Sequence, residues 1–413
     1  MTATSNNMAM INPRAPEFPE GGLTRYANAR EAALALRPDT PVYCFRPAQL
    51  EADANAFRQA FPGLTAYAVK TNPHPLIVDR LARIGVDAFD VASPTEFRMA
   101  RAAAPKAALL YMLPVKAGSA IREALADYGI RHLAIDHENE AAKILREARA
   151  AGVEPSELTL FVRLATKSHA AYELSRKFGA APGHAVELLQ RVHKIGAQAG
   201  LCFHVGSQVE EPDAYAAALK AAQWVRARAG VPIAALDIGG GYPARYGVDR
   251  RRKSAPTPTP ADLIPRILRA VERTGFGDVP LVAEPGRAIV ARSLSVIVRV
   301  LLRKGQRLYI NDGVWASLSD SWTGKLTLPV RLIPEPGRVR AKGDPKKTVP
   351  FRIMGATCDS VDILSRPFWL PETVRTGDWI EVGHIGAYSL SLRTDFNGSY
   401  PDTFVEVDAA FRA

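Results

Sequence analysis

The residues best placed for chemistry stand at the ends of short apolar runs. Lys70 closes TAYAVK, and a lysine whose stem is buried by Tyr-Ala-Val would have the lowered pKa that suits Schiff-base chemistry. His204 lies in GLCFHVGS, which ends at Ser207. Asp237-Ile238 runs into Gly239-Gly240-Gly241, where three glycines let backbone N–H groups approach a phosphate. Glu284-Pro285-Gly286-Arg287 offers a carboxylate and a guanidinium, and Cys358-Asp359 a thiol beside an acid. Each also has a structural reading: a solvated lysine, a core histidine, a tight turn, a surface ion pair, a packed thiol. Their joint placement favours chemistry.

The elements that carry them alternate. Eight short apolar, β-branched runs begin at residues 65, 88, 108, 132, 158, 200, 234 and 280. Between them lie Ala-rich stretches such as ENEAAKILREARAAG, with apolar positions three and four apart. This pattern predicts an α/β fold, a (β/α)8 TIM-like barrel, in which strand C-termini carry the functional residues. A doubly wound sheet would need a glycine-rich fingerprint after its first strand, and none is there. From about residue 290 the pattern turns strand-rich with PEPG, KGD and RTGD turns, predicting a C-terminal mostly-β domain of sandwich or barrel type. The expected layout is a flexible arm over 1–22, a segment over 23–45 that joins the β domain, a barrel over 46–288, and the β domain over 289–413. The stretch 248–262 reads as a mobile insertion.

Composition excludes several classes. The chain has 413 residues, 47% hydrophobic and 23% charged, which is ordinary for a globular protein. No apolar run approaches the roughly 18 to 20 residues of a spanning helix, and the N-terminus lacks a signal-peptide core, so neither a membrane partner nor secretion is expected. Three cysteines far apart argue against a disulfide framework and for a cytoplasmic location, and the absence of a C-x-x-C pair argues against a zinc site; no metal is expected. The net charge of +11 gathers at Arg250–Lys253 and from Arg338 to Lys347, among Pro and Gly. Both clusters read as solvated loops, and no nucleic-acid partner is expected.

Together the stretches YAVKTNP (67–73), FDVAS (89–93), FHVGSQ (203–208), DIGGGYP (237–243), AEPGR (283–287), YINDGVW (309–315), GATCDSVD (355–362), GAYSLS (386–391) and FNG (396–398) carry a resemblance. From about residue 40 to the end, the sequence resembles the fold-type III pyridoxal-phosphate decarboxylases of basic amino acids, the ornithine/lysine/arginine/diaminopimelate group, and within it the ornithine branch most. The resemblance implies that Lys70 holds pyridoxal 5'-phosphate covalently, that His204 stacks on its ring and that Glu284 pairs with the ring nitrogen. It implies Ser207, Gly240, Gly241, Arg287 and Tyr388 around the phosphate, with Asp90 supporting the lysine and Arg163 the ring's polar surroundings. It further implies a homodimer with shared sites, in which Cys358 protonates the substrate carbon and Asp359 binds its distal ammonium across the interface.

The chain departs from the ornithine pattern at one place. That branch carries an acid about a dozen positions past NDG, and here the aligned triplet is Thr323-Gly324-Lys325. Asp320, four residues earlier, is the candidate replacement for binding substrate, or else a turn cap. The diaminopimelate branch has Cys-Glu where this chain has Cys358-Asp359, and an alanine-racemase relation would lack the EPGR and Cys-Asp motifs. The expected reaction is decarboxylation of a basic L-amino acid, ornithine or lysine, to a diamine. The alternatives are an enzyme of the same fold acting on another amino acid or with altered chemistry, and a non-catalytic regulatory homologue.

Overall fold

The structure, a computed structural model, describes residues 22–166, 177–248, 257–337 and 343–412. The Arg250–Lys253 cluster, and most of the 1–22 arm, the 248–262 insertion and the front of the Arg338–Lys347 run, lie outside the described residues.

The eight expected runs form the barrel. In sequence they are Tyr67–Ala68, Ala88–Asp90, Ala108–Tyr111, His132–Ile135, Thr159–Leu164, Gln198–Phe203, Ala235–Asp237 and Leu281–Ala283, each parallel to the next. The first strand is split, which the sequence did not suggest. Leu64–Thr65 pairs with Leu281–Ala283 and Tyr67–Ala68 with Ala88–Asp90, so the break at Ala66 is the seam where the barrel closes. Ala66 N–H donates to Ala283 O (2.8 Å) and Ala68 N–H to Pro285 O (3.1 Å) across it.

Side-chain alternation sets the layers. Ala66, Ala88, Leu110, Ala134, Phe161, Cys202 and Val282 pack inside the barrel, while Tyr67, Phe89, Leu109 and Leu133 face the helices. The helices start where local chemistry satisfies their first N–H groups. Ser93 caps Pro94–Ala103 through Glu96 N–H, and Thr259 with Asp262 forms a capping box for Pro260–Arg273. In the latter, Leu263, Ile264, Ile267, Ala270 and Val271 make the buried stripe. The last strand is followed only by the four-residue helix Arg287–Val290, in keeping with the change of pattern there.

The β domain is a mixed sheet organised around Leu294–Lys304. That strand pairs antiparallel with Val42–Phe45, Arg307–Ile310 and Trp379–Val382. Val42–Phe45 in turn lies parallel to Thr403–Val407. A buried pair, Arg46 to Glu381 (2.6 Å), is completed by Ser295, which also bonds Glu381 (2.8 Å). Two bonds stitch the domains beside Lys70: Tyr388 N–H to Thr71 O and Asn72 Nδ2 to Gly386 O, both 2.8 Å. Among the described residues no helix is long and apolar enough to cross a membrane.

Candidate active site

A pocket of about 410 Å³ opens where the barrel strands end, against the β domain. Its walls include Lys70, His204, Ser207, Gly241, Glu284, Arg287, Asp320 and Tyr388. Lys70, His204, Gly241, Glu284 and Arg287 meet here because parallel strands deliver their C-terminal ends to one face, and the β domain brings Asp320 and Tyr388 against them. A second cleft, of about 1000 Å³, lies at the opposite mouth among strand starts such as Leu64, His132 and Gln198, away from these groups.

Lys70 sits in a one-turn helix, Val69–Thr71, directly after the split strand. Its Nζ donates to Asp90 Oδ2 at 2.9 Å, and its side chain is 43% exposed toward the pocket. Desolvation depresses its pKa, but the negative charges of Asp90 and then Glu284 outweigh it, and the net shift is upward. The lowered value expected from burial alone is therefore corrected: the amine is held as an ammonium by its carboxylate neighbours. Glu96, which sequence reading missed, lies nearby and accepts Ala92 N–H at 2.6 Å. Burial pushes its carboxyl up to about 7.

His204 is held neutral by burial and by the charges of Arg163 and Lys70. Its Nδ1 accepts Gly206 N–H at 3.1 Å, which leaves the proton of the neutral ring on Nε2. Arg163, on the Thr159–Leu164 strand, acts on His204 through charge and lies over the Phe178 ring, 5.5 Å from its centroid. Gly240 is packed so closely that a Cβ there would come 3.0 Å from His204 Nε2. Gly241 has φ 103°, and a side chain would strike Gly206 O at 2.9 Å.

Arg287 is the most heavily bonded group of the pocket. It contacts Tyr246 Oη (2.7 Å), Ser207 Oγ (3.3 Å) and both carboxylate oxygens of Asp320 (2.5 and 3.0 Å). Tyr388, held at φ 55°, places its ring 5.1 Å from the guanidinium carbon. Asp320 thus lines the pocket, on the short helix Ser319–Thr323, but with its carboxylate turned to Arg287.

Glu284 is buried beside Asp237, its backbone N–H donating to Gly239 O (2.9 Å), and the two carboxyl groups adjoin. Asp237 stood in the sequence only as the front of the DIGGG motif; nothing in its spacing marked it as a partner of Glu284.

Cys358 and Asp359 do not join this pocket within their own chain. Cys358 is exposed, its Sγ 3.5 Å from Asn397 Oδ1, and Asp359 is half-buried. Their loop is pinned from beneath by Asp362, which is buried and accepts Val314 N–H (2.8 Å), Thr357 N–H (3.0 Å) and Thr357 Oγ1 (2.7 Å).

A barrel whose strand ends gather a lysine, a carboxyl pair and an arginine against a β domain defines a class, and comparison with known proteins gives it a family. Residues 47–291 match the pyridoxal binding domain of the pyridoxal-dependent decarboxylases, and residues 292–386 their C-terminal sheet domain. The chain is similar to the lysine/ornithine decarboxylase of Selenomonas ruminantium, 30% identical over 387 residues, 91% of this chain and 92% of that one. It is 32% identical to the ornithine decarboxylase of Rattus norvegicus over 372 residues, 82% of this chain and 74% of that one. The solved lysine/ornithine decarboxylase of Vibrio vulnificus, complexed with cadaverine, superposes with a TM-score of 0.74 at 27% identity, covering 93% of this chain and all of that one (100%).

The chain belongs to the pyridoxal-dependent decarboxylases. It is a pyridoxal-phosphate-dependent amino acid decarboxylase.

Proposed function

We propose that the pocket beside Lys70 takes pyridoxal phosphate and that the enzyme decarboxylates a basic L-amino acid, ornithine or lysine, to a diamine and CO2. The observation that carries this reading is one amine, Lys70 Nζ, in a pocket of about 410 Å³ that also presents Glu284, Arg287 and the crowded Gly240-Gly241 turn. The residues fit the group. Arg287, Ser207 and the Gly240 and Gly241 backbone offer donors for a phosphate, with Tyr388 alongside. Glu284 offers a carboxyl to a ring nitrogen, and Lys70 an amine to an aldehyde. The chemistry the cofactor supplies is an electron sink for the pair left on Cα when CO2 departs.

This chain's own groups do the rest. Asp90 orients Lys70 and holds its proton until the amine is needed. His204, kept neutral, packs against a flat ligand without adding charge. Arg163 sits behind it as a fixed cation. After CO2 leaves, Cα needs a proton, and Cys358 is the thiol to supply it. Asp359, acceptor-only when ionised, binds the substrate's distal ammonium. Since Cys358 is exposed and both lie outside their own chain's pocket, they serve the pocket of a partner subunit in a homodimer. Asp320 is the second acid available to the substrate.

A second reading is favoured by one observation. Both Asp320 oxygens bond Arg287, and Gly324 carries no side chain where the ornithine branch has its acid. Fewer acids then face the substrate's tail, which suits an amino acid with a different terminus. The test is borohydride reduction of the cofactor-loaded protein with peptide mapping, followed by product analysis on a panel of amino acids. The label is expected on Lys70, and a diamine from ornithine or lysine. A label elsewhere would remove the lysine's role. Failure on ornithine, lysine and arginine alike would select the second reading, and a protein that takes up no cofactor would be a non-catalytic homologue.

A further inference from the structure

Asp237 ends its barrel strand with no exposed surface, and its two oxygens have different surroundings. Oδ1 accepts Gly239 N–H at 2.7 Å, closing a tight turn in which Gly239 stands at φ 69°. Oδ2 is buried, and among the described residues no N–H or O–H donor reaches it. What meets the side chain of Asp237 is the carboxyl of Glu284. Two ionised carboxylates cannot hydrogen-bond each other, because both are acceptors. An unsatisfied buried carboxylate oxygen beside a second buried carboxylate would cost desolvation and repulsion together. One proton removes both costs.

We infer that Asp237 and Glu284 hold a single proton between them, and that Asp237 is a positioning residue which takes this proton when a cationic ring nitrogen faces Glu284. The inference deepens the proposed function by assigning the neighbour that controls Glu284. Among the described residues, the charged groups acting on the pair are Asp90 and Lys70, which bond each other, so no unpaired cation there stabilises a second negative charge. Burial pushes both carboxyls up, so one proton stays between them before the cofactor enters. A protonated ring nitrogen then favours the ionised form of Glu284. The shared proton would then settle on Asp237, and none enters or leaves the site. Asp237 now donates to Glu284 and fixes its carboxylate toward the ring.

The prediction separates an isosteric variant from a truncated one. In Asp237→Asn the amide oxygen keeps the Gly239 bond and the amide N–H donates to Glu284, as a protonated Asp237 would. In Asp237→Ala nothing holds Glu284. Infrared difference spectra of the cofactor-free protein are expected to show a protonated-carboxyl band in the wild type that is lost in both Asp237→Asn and Glu284→Gln. In the loaded enzyme, kcat of Asp237→Asn should exceed that of Asp237→Ala by tenfold or more, with KM similar, thermal melting confirming that each variant is folded. A band unchanged in both variants would overturn the shared proton, and equal loss of kcat in the Asn and Ala variants would overturn the positioning role. The infrared result needs no cofactor, so it stands or falls apart from the proposed reaction.

Discussion

Arg287 and Asp320 form a two-point ion pair within the pocket, Nη1 lying 2.5 Å from Oδ2 and Nη2 3.0 Å from Oδ1. The fork of a guanidinium matches a carboxylate in this way, and the pair leaves the arginine fixed before any anion arrives. Because the arginine is buried, removing its partner leaves an uncompensated charge.

Asp320→Ala is therefore expected to destabilise the cofactor-free protein by about 3–5 kcal/mol. Pyridoxal phosphate, whose phosphate would repartner Arg287, should recover much of that loss. Urea denaturation with and without the cofactor checks this. The stabilisation by cofactor should be larger in the variant than in the wild type, and equal gains would separate Arg287 from phosphate binding.

The raised pKa of Lys70 sets the pH dependence of cofactor capture. Only the neutral amine attacks an aldehyde, so at pH below its pKa the capture rate should rise about tenfold per pH unit. Asp90→Asn removes the leading charge that raises the pKa, and is expected to speed capture at pH 7. Stopped-flow absorbance from pH 6 to 9 measures this, and a rate at pH 7 no faster than that of the wild type would detach Asp90 from this role.

Glu96 gives a stability signature. Its folded pKa, pushed up to about 7 by burial and then by Asp90 against the pull of Ala92 N–H and Lys70, exceeds the ordinary 4.5. Below about pH 4.5 it is protonated in both folded and unfolded states, and its neutral form costs nothing. Between 4.5 and about 7 it ionises only in the unfolded chain, so this contribution is lost as pH rises. Relative to wild type, Glu96→Gln should gain of order 2 kcal/mol between pH 4.5 and 8 by this linkage, after allowance for partial exposure. Denaturation of the cofactor-free proteins at the two pH values is the measurement, and a difference that does not change with pH would refute it.

Shared sites make an arithmetic prediction. Lys70→Ala and Cys358→Ala chains, each inactive or slow alone, should regain roughly a quarter of wild-type activity when mixed, since half the dimers are mixed and each carries one intact site. Asp362→Ala should release the loop bearing Cys358 and lower kcat while leaving the cofactor's visible absorbance in place. No recovery on mixing would place Cys358 in the site of its own chain.

The barrel was legible in the sequence because each strand is a short apolar run and each helix an i, i+3, i+4 stripe, both local signals. The eight runs beginning at residues 65 to 280 appear as strands, and the strand-rich C-terminal pattern as a mixed sheet. The break at Ala66 was not legible: it follows from the ring closing on itself, which no local pattern encodes. The pocket residues could be read as an ordered set of motifs, but not their pairings. Asp320 stands 33 positions from Arg287 and Asp237 stands 47 from Glu284, and such contacts are fixed only when strand ends converge. For the same reason burial alone gave the wrong direction for Lys70, whose carboxylate neighbours come from two other strands.

The stitches at Thr71–Tyr388 and Asn72–Gly386 flank the lysine itself. Any opening that swings the sheet domain off the barrel must pull on the backbone one and two residues beyond Lys70. Loss of the coenzyme and breathing between the two halves of the subunit are thereby one event. Amide exchange at Tyr388, whose N–H donates to Thr71 O, should slow as the holoenzyme forms, so that the vitamin works as a rivet as well as a reagent.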